Sequence, residues 1–146
     1  MYLAIDPGDM TGMAVIGTSG ELLWEKIFPY EELIDELQTL KWRTKLSNII
    51  VEDFALLPTK AQAVSQTKSR HMKAARGIGV VEAFGAMYGV PVEFRDPRHW
   101  RIGLQLAGIP PKDWPKNHAK GHGIVAYGLG FHWLVENNLV EARLGS

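Results

Sequence analysis

Apolar positions along the 146-residue chain change period several times, and each change marks an element. The chain opens on Tyr2–Asp6, an apolar run closed by an acid and then by Pro7-Gly8, which predicts a buried strand meeting a turn. Residues 11–16 and 22–28 predict two more strands. Gly17-Thr18-Ser19-Gly20 between them has the composition of an antiparallel hairpin turn. Over residues 30–42 the period turns helical, with Leu33, Ile34, Leu37 and Leu40 on one side, joined by the stem of Lys41. Glu31, Glu32, Asp35 and Glu36 lie opposite or beside that stripe. Ile49-Ile50-Val51-Glu52 predicts another buried strand, again ending in acids.

Residues 61–88 read as a long helix that Gly77, Gly79 and Gly85 weaken. Ala74, Ile78, Val81, Gly85 and Tyr88 share its core-facing side, and Lys68, Lys73 and Arg76 fall on another. Residues 89–94 predict a short strand whose Pro91 suits an edge or a strand start. Asp96-Pro97 has the form of an N-cap followed by proline at the first helical position. A last helix falls within residues 116–138. The order β-β-β-α-β-α-β-α-α is mixed α/β: an antiparallel hairpin, then strands alternating with helices. No linker or repeat divides the chain, and its length suits a single domain over residues 1–146.

Composition narrows the function classes. There is no cysteine, so disulfide frameworks, thiolate zinc sites and cysteine nucleophiles are excluded. No apolar run approaches the ~20 residues a membrane helix needs, and no signal-peptide layout opens the chain, so a cytoplasmic protein without a membrane partner is expected. The formal net charge is zero, with 16 Lys+Arg against 16 Asp+Glu. That average conceals a split. Residues 1–53 carry ten acids and four bases, and residues 54–146 carry twelve bases and six acids. Between Phe54 and Val81 there is no acid, while Lys60, Lys68, Arg70, Lys73 and Arg76 are all basic. Such asymmetry points to an anionic partner for the second half, and equally to a solvated helix neutralised by the acidic half.

Two carboxylates carry the candidate chemistry. Asp6 and Glu52 each close an apolar strand, and neighbouring strands would bring these ends together across 46 residues of sequence. Paired carboxylates repel and call for a cation between them, and hard oxygen ligands select Mg²⁺ or Mn²⁺. Each acid alone also reads as an ordinary turn-former or strand end. Asp53 points to the opposite face of a regular strand and is assigned no share in the site. The stretch from Asp6 to Ile16, with its Gly8 turn and Thr11-Gly12, has two readings: a cradle for nucleotide phosphates, as in actin-like folds, or the opening of an RNase H-like nuclease. No G-x-x-x-x-G-K-[ST] phosphate loop is present, and actin-like enzymes are usually much longer.

Together these residues resemble a family, the small RuvC-type Holliday-junction resolvases, particularly those of bacteriophages. Asp6-Pro7-Gly8 with Thr11-Gly12 is similar to the opening motif, and Val51-Glu52-Asp53-Phe54 to the second acidic motif. Gly77-Ile78-Gly79-Val80-Val81-Glu82 and Gly89-Val90-Pro91-Val92 resemble the helix and strand that follow. Asn117-His118-Ala119-Lys120 resembles the start of the third motif. The resemblance covers roughly residues 2 to 135. It implies an RNase H-like fold, with a mixed central sheet of an antiparallel hairpin plus parallel strands, flanked by helices.

The same resemblance implies a metal-dependent endonuclease that cuts four-way junctions or other branched DNA with two Mg²⁺ or Mn²⁺ ions. Asp6, Glu52 and His118 would be the catalytic and metal-binding residues. Lys60, Lys68, Arg70, Lys73, Arg76, Lys116 and Lys120 would contact DNA phosphates, and a homodimer would nick two opposing strands. One position departs from the family. An aspartate normally stands three residues after the histidine, and here Gly121 does, followed by His122. His122 is a possible replacement ligand, but a 100° helical rotation separates it from the family position. Three functions remain open: an active nuclease, a catalytically inactive DNA-binding module of the same fold, and an actin-like nucleotide-binding enzyme.

Overall fold

The computed structural model describes residues 1–53, 68–116 and 121–143, excepting the side chains of 68–71. Strand β1 (Tyr2–Asp6) pairs antiparallel with β2 (Met10–Ile16), which pairs antiparallel with β3 (Leu22–Pro29). Strand β4 (Asn48–Glu52) lies parallel to β1 on its other side, and β5 (Val92–Arg95) lies parallel to β4. The result is one five-stranded sheet in the order β3-β2-β1-β4-β5. All five residues of β1 are buried, and so are all of β4 after its first. Strands covered on both faces read as unbroken apolar runs, which is why these two are plain in the sequence.

Helices cover the two faces separately. On one face α1 (Leu33–Thr39) and α2 (Lys68–Tyr88) pack over Leu3, Ile5, Met13, Val15, Ile49 and Val51. On the other, α3 (His99–Leu106) and α4 (His122–Glu136) pack over Tyr2, Ala4, Ala14, Ile16 and Ile50. This is a mixed α/β architecture, an antiparallel hairpin extended by parallel strands with helices on both faces. Helix α4 is apolar nearly all round, from Val125 through Phe131 to Leu134, as a helix buried on several sides must be. Its backbone meets that of α3 where Gly103 and Gly128 touch; a Cβ on Gly103 would lie 1.7 Å from the Gly128 carbonyl oxygen.

Several boundaries differ from the sequence expectation. The helix expected over residues 30–42 is a 3₁₀ turn, Tyr30–Glu32, followed by α1. It ends at Leu40, whose extended backbone (φ −60°, ψ 120°) stops the helix while its side chain stays in the core. Ile34, assigned to the buried stripe, is 54% exposed, because Leu33 and Leu37 alone face the sheet. On α2, Ala74 and Val81 are buried as expected and Ile78 is half-buried, but Tyr88 is 37% exposed, its ring tilted against Phe84. Asp96 does not cap α3 directly, since the helix starts three residues later, with Arg98 in the cap position. Its carboxylate accepts from the Arg98 backbone N–H (2.9 Å) and from its guanidinium, which holds the Asp96 pKa down at about 2. No helix among the described residues is long and apolar enough to cross a membrane.

Candidate active site

The register of the sheet places the two strand-end acids. Ile5 pairs with Val51, so Asp6 and Glu52 are the next positions along adjacent parallel strands. In-register parallel neighbours face the same way. Ala4 and Ile50 face α3 and α4, and Asp6 and Glu52 share that face. Both acids are 0% exposed. Two carboxylates side by side repel when both are charged, so the pair favours a cation.

Helix α4 starts against this pair. His122, its first residue, has Nδ1 2.5 Å from Asp6 Oδ2. The approach depends on Gly12, which pairs with Asp6 across the hairpin. A Cβ on Gly12 would lie 2.1 Å from the carbonyl carbon and oxygen of His122, so only glycine lets the helix end settle over the strand. The glycine therefore seats a helix and does not open its backbone to a nucleotide phosphate, which removes the support for the actin-like reading. Thr11 beside it is fully buried, its hydroxyl donating to the Gly8 carbonyl (3.2 Å).

Gly121 occupies the cap position of α4 with φ −134° and ψ 27°, and its Cβ direction points at Pro115, 2.1 Å from that residue's Cβ. The expected rotation between residues 121 and 122 assumed that both lie in the helix. Only His122 does, and it is the residue that reaches Asp6. His118 lies outside the described residues, so the Asp6, Glu52 and His118 set is placed at its first two members. Among the described residues no group of three or more His, Asp or Glu side chains is arranged to hold a metal ion.

Two charged residues not singled out in the sequence border the site. Glu25, on β3, has its carboxylate against the α-carbon of Gly123 in the first turn of α4, and burial raises its pKa. Arg95 stands in register with Glu52 and reaches across to α4, where it meets His132 Nδ1 (3.0 Å) and pairs with Glu136. Strand alternation was the available signal, since both lie on the Asp6 face, but neither belongs to a motif.

His132 carries a pH consequence. Burial first, then the charges of His99 stacked on it (ring centroids 4.3 Å apart) and of Arg95, lower its pKa to about 4. The unfolded chain takes up this proton near pH 6.5 and the folded one near 4, so stability is complete above about 6.5 and falls as pH drops toward 4. Urea midpoints measured from pH 7 to 4 should fall for the wild type. They should fall less for His132→Gln, whose amide oxygen can still accept from Arg95.

The proposed phosphate contacts are placed unevenly. Arg76 and Lys116 are exposed. Lys73 is engaged with acids of the first half, Glu31 Oε1 at 3.3 Å and Asp9 Oδ1 at 3.6 Å, and the Glu31 hydrogen bond raises its pKa. Lys68 and Arg70 sit on α2, their side chains outside the described residues, as are Lys60 and Lys120 altogether.

No protein-family model matches the chain, and no curated protein matches it. Solved structures do. Thermus thermophilus RuvC in complex with a Holliday-junction substrate superposes with a TM-score of 0.67 over 97% of this chain and 98% of the other, at 15% identity. A second Thermus thermophilus RuvC structure gives 0.62 over the same shares, at 16% identity. The fold is RuvC-like. In this RuvC-like fold Asp6 and Glu52 end adjacent strands and His122 sits on Asp6; the two carboxylates are hard oxygen donors of the kind that suits Mg²⁺ or Mn²⁺, whereas the imidazole is not a typical ligand of either.

Proposed function

We propose that this protein is a metal-dependent endonuclease that hydrolyses phosphodiester bonds in branched DNA, four-way junctions above all. The observation that carries it is the meeting of two fully buried carboxylates, Asp6 and Glu52, at adjacent strand ends of a RuvC-like fold. The substrate class draws support from the RuvC structure that holds a Holliday junction. Asp6 and Glu52 would hold two Mg²⁺ or Mn²⁺ ions, with His118 and His122 as further donors. Bound ions supply a hydroxide near neutral pH and stabilise the leaving oxygen of an in-line displacement. The chain's own part is orientation: Asp6 fixes the His122 ring through Nδ1, and Gly12 seats the helix that carries it.

Arg76 and Lys116, with Lys60, Lys68, Arg70, Lys73 and Lys120, would neutralise backbone phosphates and position the branch without reading bases. Lys73 must leave Glu31 and Asp9 to do so. A homodimer would cut two strands, and α2 leaves Met72 and Met87 exposed for pairing. The cytoplasm is its expected compartment, and one domain over residues 1–146 does the work.

A second reading is favoured by Gly121 and by the lack of a closed three-ligand group among the described residues: a module that binds branched DNA without cutting it. A nicking assay on a labelled four-way junction separates the two. Nicks with Mg²⁺ or Mn²⁺ that EDTA abolishes are expected. Tight binding without nicks in either metal selects the module, and absence of both sinks the DNA assignment.

A further inference from the structure

On the opposite face of the sheet from Asp6, Trp24 of β3 and Trp42 line an open cleft of about 270 Å³ with Glu36, Thr39, Leu40 and Lys41. The two indole centroids are 6.3 Å apart with the rings tilted by 49°. Both tryptophans are half-buried and lean on the core beneath, so their places are set before any ligand arrives. Cations flank them. Lys41 Nζ lies 5.4 Å from the Trp42 ring centroid, Lys41 and Lys45 are exposed, and Arg43 donates to the Leu40 carbonyl (3.1 Å). Glu36, the acid in the lining, is paired with Lys26.

We propose that this cleft stacks an unpaired nucleobase against the open face of the Trp24–Trp42 pair, whose rings contact each other too closely to admit a base between them, with Lys41 and Lys45 on the neighbouring phosphates. Its ligand is then single-stranded DNA, such as an unpaired segment beside a branch. Every base offers a π face, so indole stacking accepts any sequence, and interleaved cations track the backbone. A duplex hides its base faces in its own stack and has none to give. Lys41 gives up its contact with the Trp42 ring for a phosphate at little cost, because an exposed cation–π contact is weak.

The cleft is within reach of the site. Trp24 is three residues along β3 from Ile27, which pairs with Gly12, the partner of Asp6. That is about 10 Å along the strand and two strand spacings across, roughly 14 Å within the plane of the sheet, and because the cleft and the acids lie on opposite faces a DNA strand joining them must pass round the β3 edge. The substrate class deepens the branched-DNA function proposed above, and rests on it for its setting.

The full-length protein, a fluorescein-labelled 12-nucleotide oligothymidine and the four-way junction test the assignment. Oligothymidine is expected to quench tryptophan emission as it binds. Trp42→Ala should weaken it about tenfold. Trp42→Phe should restore most of the affinity, and Lys41→Ala should flatten the salt dependence by about 0.7 in log–log slope. Lys41 is at the surface, so its variant keeps the test alive if Trp42→Ala misfolds. No oligothymidine binding by the wild type, or unchanged binding in both alanine variants, overturns the cleft. Junction nicking with no oligothymidine binding removes the cleft and leaves the nuclease standing. Cleft-dependent oligothymidine binding without nicking does the reverse. A changed oligomeric state in Trp42→Ala, with oligothymidine binding intact, gives the cleft to a second copy of the chain and also overturns it.

Discussion

Asp6→Asn is expected to slow junction nicking about a thousandfold while leaving junction affinity within a few-fold of wild type. A thousandfold is ~4 kcal/mol of transition-state stabilisation, the scale expected when a metal ion loses a carboxylate ligand. The replacement is isosteric, and the amide oxygen can still accept from His122 Nδ1, so the helix end keeps its anchor. Glu52→Gln should behave alike, since Glu52 occupies the next register position and is equally buried. Thermal stability should move the other way. Neutralising one of two adjacent buried carboxylates relieves their repulsion, so both variants should melt at or above the wild-type temperature. Single-turnover nicking and thermal melts of the same preparations check the pair. Nicking that survives in both variants removes Asp6 and Glu52 from the reaction. Loss of nicking together with a collapse in melting temperature makes them structural.

Much of the framework is legible in the sequence because of where burial falls. β1 and β4 are covered on both faces and appear as plain apolar runs, and the acids that end them are the acids that meet. Legibility fails where packing is decided by distant chain. The stripe of α1 loses Ile34 because a seven-residue helix can turn only Leu33 and Leu37 fully to the sheet. Gly12 reads as a turn or phosphate-binding glycine, and only the fold reveals a helix end lying on it. Trp24 and Trp42 are 18 residues apart on a strand and a loop, with no shared period to link them. The charge split is real in sequence but partly cancels in space, where Lys73 of the basic half lies between Glu31 and Asp9 of the acidic one.

Gly121→Asp, the substitution that would restore the family's acid, is expected to lower stability by about 1–3 kcal/mol and to add no nicking. The new Cβ would lie 2.1 Å from Cβ and 2.4 Å from Cγ of Pro115, a ring that has no rotamer to swing aside. Overpacking of this kind costs ~1–3 kcal/mol. Backbone strain plays no part, since φ at residue 121 is −134°. One effect runs in favour. Aspartate is a better N-cap than glycine, but only by a few tenths of a kcal/mol, too little to offset the clash. The carboxylate would also leave the backbone toward Pro115, while His122 already occupies the approach to Asp6. Gly121→Ala separates the contributions, because it carries the Cβ without the charge. Urea midpoints should fall similarly for the alanine and aspartate variants, with nicking at or below wild type in each. A gain of nicking by Gly121→Asp over a silent wild type would mean that the Pro115 loop yields and the acid reaches the metal, and would establish the natural chain as a disabled nuclease.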